Sequence, residues 1–140
     1  MAIRFFEENI ACRIQGKTLL KSWIRNSITI ENRIPGNISI ILCSDEFLSE
    51  INLKYLKHRT LTDVISFPEE EKGTCVAGEV YISYPRVKEN ALLFQQELND
   101  ELRRVIIHGI LHLMGYSDKT KTQRENMTKR EDFLLNLFPG

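Results

Sequence analysis

The chain has 140 residues, 42% of them hydrophobic, enough for one compact core but too few for a second catalytic domain. Nineteen basic residues balance nineteen acidic ones, so no global positive field attracts a polyanion, and any nucleic-acid surface must be a local patch. Cys12, Cys43 and Cys75 are odd in number and lack CxxC spacing, and no apolar run approaches the roughly 20 residues that span a bilayer; free buried thiols, a cytoplasmic location, no membrane partner and a single domain over residues 1–140 are expected.

Residues 2–7 are predicted as a short strand, and Gly16 then opens a helix, KTLLKSWIRNS, with Leu19, Leu20, Trp23 and Ile24 on one stripe. Pro35 and Gly36 signal a turn before ISIILC at 38–43, a strand that runs into a helix capped by Ser44 and ending near Tyr55. DVISF at 63–67 and GEVYIS at 78–83 are two more strands, separated by the acidic loop PEEEKGTCVA. Pro85 suits the first turn of a helix, RVKENALLF. Asn99, Asp100 and Glu101 supply a cap and a negative first turn for RRVIIHGILHLM, which stops at Gly115 and is apolar almost all the way round, as a central buried helix would be. Thr122 and Glu125 have capping-box spacing for a last helix with Met127, Leu134 and Phe138 on its core face. The expected fold is α/β or α+β: about four strands packed with helices, and a metal site on the central helix.

That site is carried by His108-Gly-Ile-Leu-His112-Leu-Met-Gly115-Tyr-Ser-Asp118. Residues four apart on a helix share a face, so the two imidazoles converge. A glycine in positive φ then lets Asp118 swing back to the same point. Two histidines and a carboxylate make a three-ligand zinc site that leaves one position open to water, whose pKa zinc lowers toward about 7. A lone histidine on an apolar helix is usually a hydrogen-bonded core residue; the pair, the glycine stop and the carboxylate together argue for metal. HxxxHxxGxxD matches the ligand spacing of metzincin proteases, with aspartate as third ligand. The glutamate those enzymes place after the first histidine is replaced by Gly109, which argues against peptide hydrolysis.

HGILHLMGYSD also resembles the HGxLHLxGYDH signature of the YbeY endoribonuclease family, the bacterial rRNA maturation factors. LKYLKHRTLTDVISFP at 53–68, with Asn52 before it, and GEVYIS at 78–83 resemble two further family segments, so the likeness covers roughly residues 38–135. It implies a zinc-dependent, single-strand-specific endoribonuclease, with one ion per chain, that trims the 3′ end of small-subunit rRNA and takes part in ribosome quality control. It also implies a sheet of about four strands with surrounding helices. Two positions depart from the pattern. Ser117-Asp118 stands where the family has Asp-His, so its third histidine ligand maps onto Asp118. Leu56 stands where the family has a basic residue, and Arg59 is the candidate to take over that phosphate-binding or catalytic role.

Lys57, His58 and Arg59, with Lys54, form a small basic cluster suited to RNA phosphates, against the alternative of a solvated helix end. His58 also competes with Asp118 as third ligand. Arg104, one turn before His108, could neutralise charge on phosphorus, although pairing with a neighbouring carboxylate is the commoner fate. Asp63 and Glu79 earn no catalytic role, and the general base is unassigned. Two alternatives stand beside the endoribonuclease: a metzincin-like metalloprotease, and a non-catalytic ribosome-assembly factor with a structural metal.

Overall fold

In the computed structural model, which describes residues 2–56, 63–69 and 74–139, the β-branched runs form a four-stranded mixed sheet. Strands β1 (Ile3–Glu8), β2 (Ile34–Cys43), β3 (Val64–Pro68) and β4 (Cys75–Ser83) lie in the order β1-β2-β4-β3. β1, β2 and β4 run parallel, and β3 pairs antiparallel with β4 on the edge. The helices are α1 (Lys17–Ile30), α2 (Asp45–Ile51), α3 (Tyr84–Leu93), α4 (Leu98–Leu113) and α5 (Lys121–Leu135), and a π-helical turn, Asn52–Leu56, follows α2.

Alternation along the central strands divides the interior. Ile38, Ile40 and Leu42 of β2, with Val80 and Ile82 of β4, face a large core built with α1, α4 and α5. Ile41, Cys43 and Ile65 face the other way, under Leu48 and Ile51 of α2. α4 is the centre of the larger core, as its all-round apolar sequence predicts: Ile106, Ile107, Ile110 and Leu111 are fully buried, each worth roughly 1.5–3 kcal/mol relative to exposure. α5 is fastened from α1, where Trp23 Nε1 donates to the Leu134 carbonyl at 2.8 Å and the indole meets Phe138 edge-on.

Several starts and stops differ from expectation. Pro35 and Gly36 lie inside β2, not in a turn before it; an irregular register between Pro35 and Ile38 absorbs the missing proline N–H. β4 takes in Cys75, Val76 and Ala77, expected as loop. α4 begins at Leu98 after Glu97, without a side-chain cap, instead of after Asn99. The capping box of α5 is Thr120–Gln123, not Thr122–Glu125: Thr120 Oγ1 accepts from Gln123 N at 3.1 Å while Gln123 Oε1 accepts from Thr120 N at 3.0 Å. The Ser44 cap and the proline in the first turn of α3 are as expected. Cys12 and Cys43 are free thiols, and of the three cysteines only Cys43 is fully buried. No helix among the described residues is long and apolar enough to cross a membrane.

Candidate metal centre

α4 approaches the sheet at Gly109. A Cβ there would lie 2.5 Å from Val80 Cγ1, and Ser66 Oγ donates to the Gly109 carbonyl at 2.9 Å. Position 109 therefore faces β4 and must be side-chain-free for close packing. The residues on either side of this contact, His108 and His112, turn off the flank of the helix and remain about one-quarter exposed.

The exit from α4 builds the rest. Gly115 takes φ +97°, its N–H bonds the His112 carbonyl at 3.0 Å, and the Tyr116 N–H bonds the Leu111 carbonyl at 3.0 Å, a Schellman turn. The turn brings the Tyr116 carbonyl to 3.0 Å from His112 Nδ1 and carries the chain on to Asp118. It is pinned from outside: Arg33 Nη1 donates to the Met114 carbonyl at 3.1 Å, and the Tyr116 hydroxyl donates to Glu31, which also binds Arg130 through Nε at 3.2 Å.

His108 Nε2 and His112 Nε2 then stand 3.0 Å apart, with Asp118 Oδ2 at 3.4 and 3.3 Å from them. Ligand atoms about 2.0–2.1 Å from a tetrahedral ion stand roughly 3.3 Å from one another, so the triangle has the dimensions of such a shell. The hydrogen positions agree. Glu131 Oε2 lies 2.6 Å from His108 Nδ1, and the Tyr116 carbonyl faces His112 Nδ1. Both partners are acceptors, so each Nδ1 carries the hydrogen and, in the neutral rings, both Nε2 atoms present lone pairs to the carboxylate. Three acceptors facing one another repel unless a cation lies between them. These residues fit a divalent metal ion, and among the described residues no fourth His, Cys, Asp or Glu joins them. Burial favours the neutral His108 ring, but the hydrogen bond and charge of Glu131, with Asp118 and Asp63, outweigh it and hold the pKa above its usual value. Metal binding would thus compete with a proton.

His108, His112 and Asp118 are brought together as the sequence predicts. Lys57, His58 and Arg59 lie outside the described residues, as does the choice between His58 and Asp118 that depends on them. Asp63, where the described chain resumes, accepts from Asn90 at 3.2 Å, and Glu79 accepts from Tyr81 at 3.0 Å. Arg104 pairs with Glu131 at 2.9 Å and Asp132 at 2.6 Å, the commoner fate weighed above. Sequence reasoning missed Glu131: it is 23 residues from His108, and as one of three carboxylates on a mostly polar helix it carries no local signal. A cavity of about 460 Å³ near the start of α4, between Phe94, Glu101, Arg104 and Phe138, does not reach the histidines.

Fold and site together define a small α+β protein whose buried helix presents a solvent-open, metal-capable His-His-Asp cluster. The family model described as Endoribonuclease YbeY matches residues 6–139. A protein of that name from Christiangramia forsetii is 46% identical over 97% of this chain and 94% of its own length. One from Amoebophilus asiaticus is 44% identical over 95% and 90%. The solution structure of a Thermotoga maritima protein superposes with a TM-score of 0.63 at 31% identity, covering 96% of this chain and 90% of that one. The chain belongs to the YbeY family.

Proposed function

We propose that this chain is a zinc-dependent endoribonuclease specific for single-stranded RNA, with His108, His112 and Asp118 holding one ion per chain. In this reading residues 1–140 act as one domain in the cytoplasm. Its substrate is ribosomal RNA, matured at the 3′ end of the small-subunit species, with a further part in ribosome quality control. The observation that carries it is the solvent-open triangle of three acceptors on the helix that bears the family signature. A divalent ion held there would supply Lewis acidity, lowering the pKa of water toward about 7 and polarising phosphoryl oxygen.

The chain's own groups have separate tasks. His108 and His112 offer neutral nitrogens whose orientation is fixed through Nδ1, and Asp118 offers the balancing charge. Lys57, His58 and Arg59 are proposed to grip phosphates, with Arg59 neutralising charge that builds on phosphorus. Gly109 weighs against the protease reading: a glutamate there would point into Val80 and not into the site. The partial exposure of all three ligands weighs against a metal with a purely structural task.

The test is to incubate zinc-loaded protein with a single-stranded RNA, the same RNA in a duplex, and casein, each with and without chelator. Cleavage of the single strand alone, lost with chelator and restored by zinc, is expected. Cleavage of casein, or intact RNA despite bound zinc, would refute the reading.

A further inference from the structure

Each histidine of the cluster is oriented through Nδ1, but by different means. His112 uses the Tyr116 carbonyl four residues away, a backbone group delivered by the Schellman turn. His108 depends on a side chain from another helix, Glu131 of α5, at 2.6 Å. That carboxylate is 6% exposed and divides its oxygens: Oε2 faces His108 while Oε1 accepts from Arg104 at 2.9 Å. A buried carboxylate is expensive unless hydrogen-bonded and paired, and here both needs are met by α4.

A bridge that served only to join α4 and α5 would not need this division. Arg104 already binds Asp132, the next residue along α5, at 2.6 Å, so the helices are joined by an ion pair without Glu131. Glu131 adds an anion in contact with one imidazole, on the side away from the cluster.

We infer that Glu131 is a positioning residue for the metal centre: it fixes His108 in the tautomer that presents Nε2 to the cluster, with Arg104 holding the carboxylate in place. Without it the imidazole can rotate or carry its hydrogen on Nε2, where it no longer offers a lone pair. The carboxylate also makes the ring a stronger donor, as such outer partners do at other metal sites. The inference rests on the proposed metal centre for the ion it serves, but the orientation of His108 is a property of the metal-free chain as well.

The experiment compares the full-length parent chain with E131Q and E131A. Zinc affinity is measured by competition with a chromophoric chelator, and the His108 ring nitrogens are followed by ¹⁵N NMR of the metal-free chain at alkaline pH, where the rings are neutral. E131A is expected to weaken zinc binding roughly 10- to 100-fold and to release His108 into mixed tautomers. E131Q keeps an acceptor but loses the charge, so the tautomer should persist while affinity falls by less. Unchanged affinity in E131Q, or an unchanged tautomer in a folded E131A, would overturn the inference; if alanine does not fold, the isosteric glutamine decides it by affinity. Failure of the parent to bind zinc would instead refute the metal centre, and the tautomer measurement would still decide whether Glu131 orients His108.

Discussion

The two ends of α4 are held by opposite means. The N-terminal end has no side-chain cap, and its buried carboxylate, Glu101, is held above its usual pKa by burial and by the charges of Asp63 and Glu131, against the opposing pull of Arg104. The C-terminal end has a Schellman turn, an arginine on its last carbonyls, a tyrosine–glutamate–arginine cluster outside the turn, and polar partners on both imidazoles. Where only packing is required, apolar burial suffices and polar groups are left at a disadvantage. Where three atoms must meet closely, directional bonds fix both imidazoles and the turn that leads to Asp118.

The sharpest way to break this comparison is at Asp118. Asp118→Ala should lose zinc by more than the roughly 10- to 100-fold expected of an outer partner, with RNA cleavage, while circular dichroism stays that of the parent, because the apolar helix and not the ion anchors the core. Asp118→His should retain the metal, since imidazole and carboxylate bind zinc at about the same distance. Zinc titration of both variants checks this. Parental affinity in the alanine variant would make Asp118 a turn residue and send the search to His58.

Gly109→Ala comes next in size. The new methyl meets Val80 of β4, and overpacking of this kind costs about 1–3 kcal/mol. A lowered denaturant midpoint is expected, with zinc affinity reduced less than stability because the histidines sit on the flank. An unchanged midpoint would show that the helix can move off the sheet freely.

The smallest effect belongs to the other end. A carboxyl whose folded pKa is raised contributes stability that is complete below its unfolded pKa and lost as pH rises through the folded value. Glu101→Gln removes that loss, so the variant should gain on the parent as pH rises from the acid range toward neutrality and match it at low pH. Urea midpoints against pH check the sign; a variant that falls below the parent at neutral pH would mean the carboxylate is a favourable partner there.

What the sequence made legible follows the same division. The periodic apolar stripe of α4, the i, i+4 histidines, the positive φ of Gly115 and the approach of Asp118 are local, and each is written in adjacent residues. The Pro35–Gly36 pair misled because a turn dipeptide and a bulged strand end share the same residues, and only the pairing with β4 decides between them. Glu131, and the cluster of Glu31 with Tyr116 and Arg130, join residues 23, 85 and 99 positions apart, and such pairs leave no period or spacing to read. The meaning of Gly109 was half legible: the sequence displays the missing glutamate, but only the fold shows that no side chain fits there.

The order of these residues along the chain sets the order in which the site can exist during synthesis. His108 and His112 leave the ribosome first, then Asp118, and last the helix that carries Arg130 and Glu131, itself docked through Leu134 onto Trp23 near the beginning of the chain. A nascent chain therefore has both imidazoles, and soon afterwards Asp118, before it has Glu131. It also cannot seat α5 until Leu134 is made. The cluster cannot be completed before α5 is made, and a chain interrupted before Glu131 contains the signature without the side chain that meets His108 Nδ1.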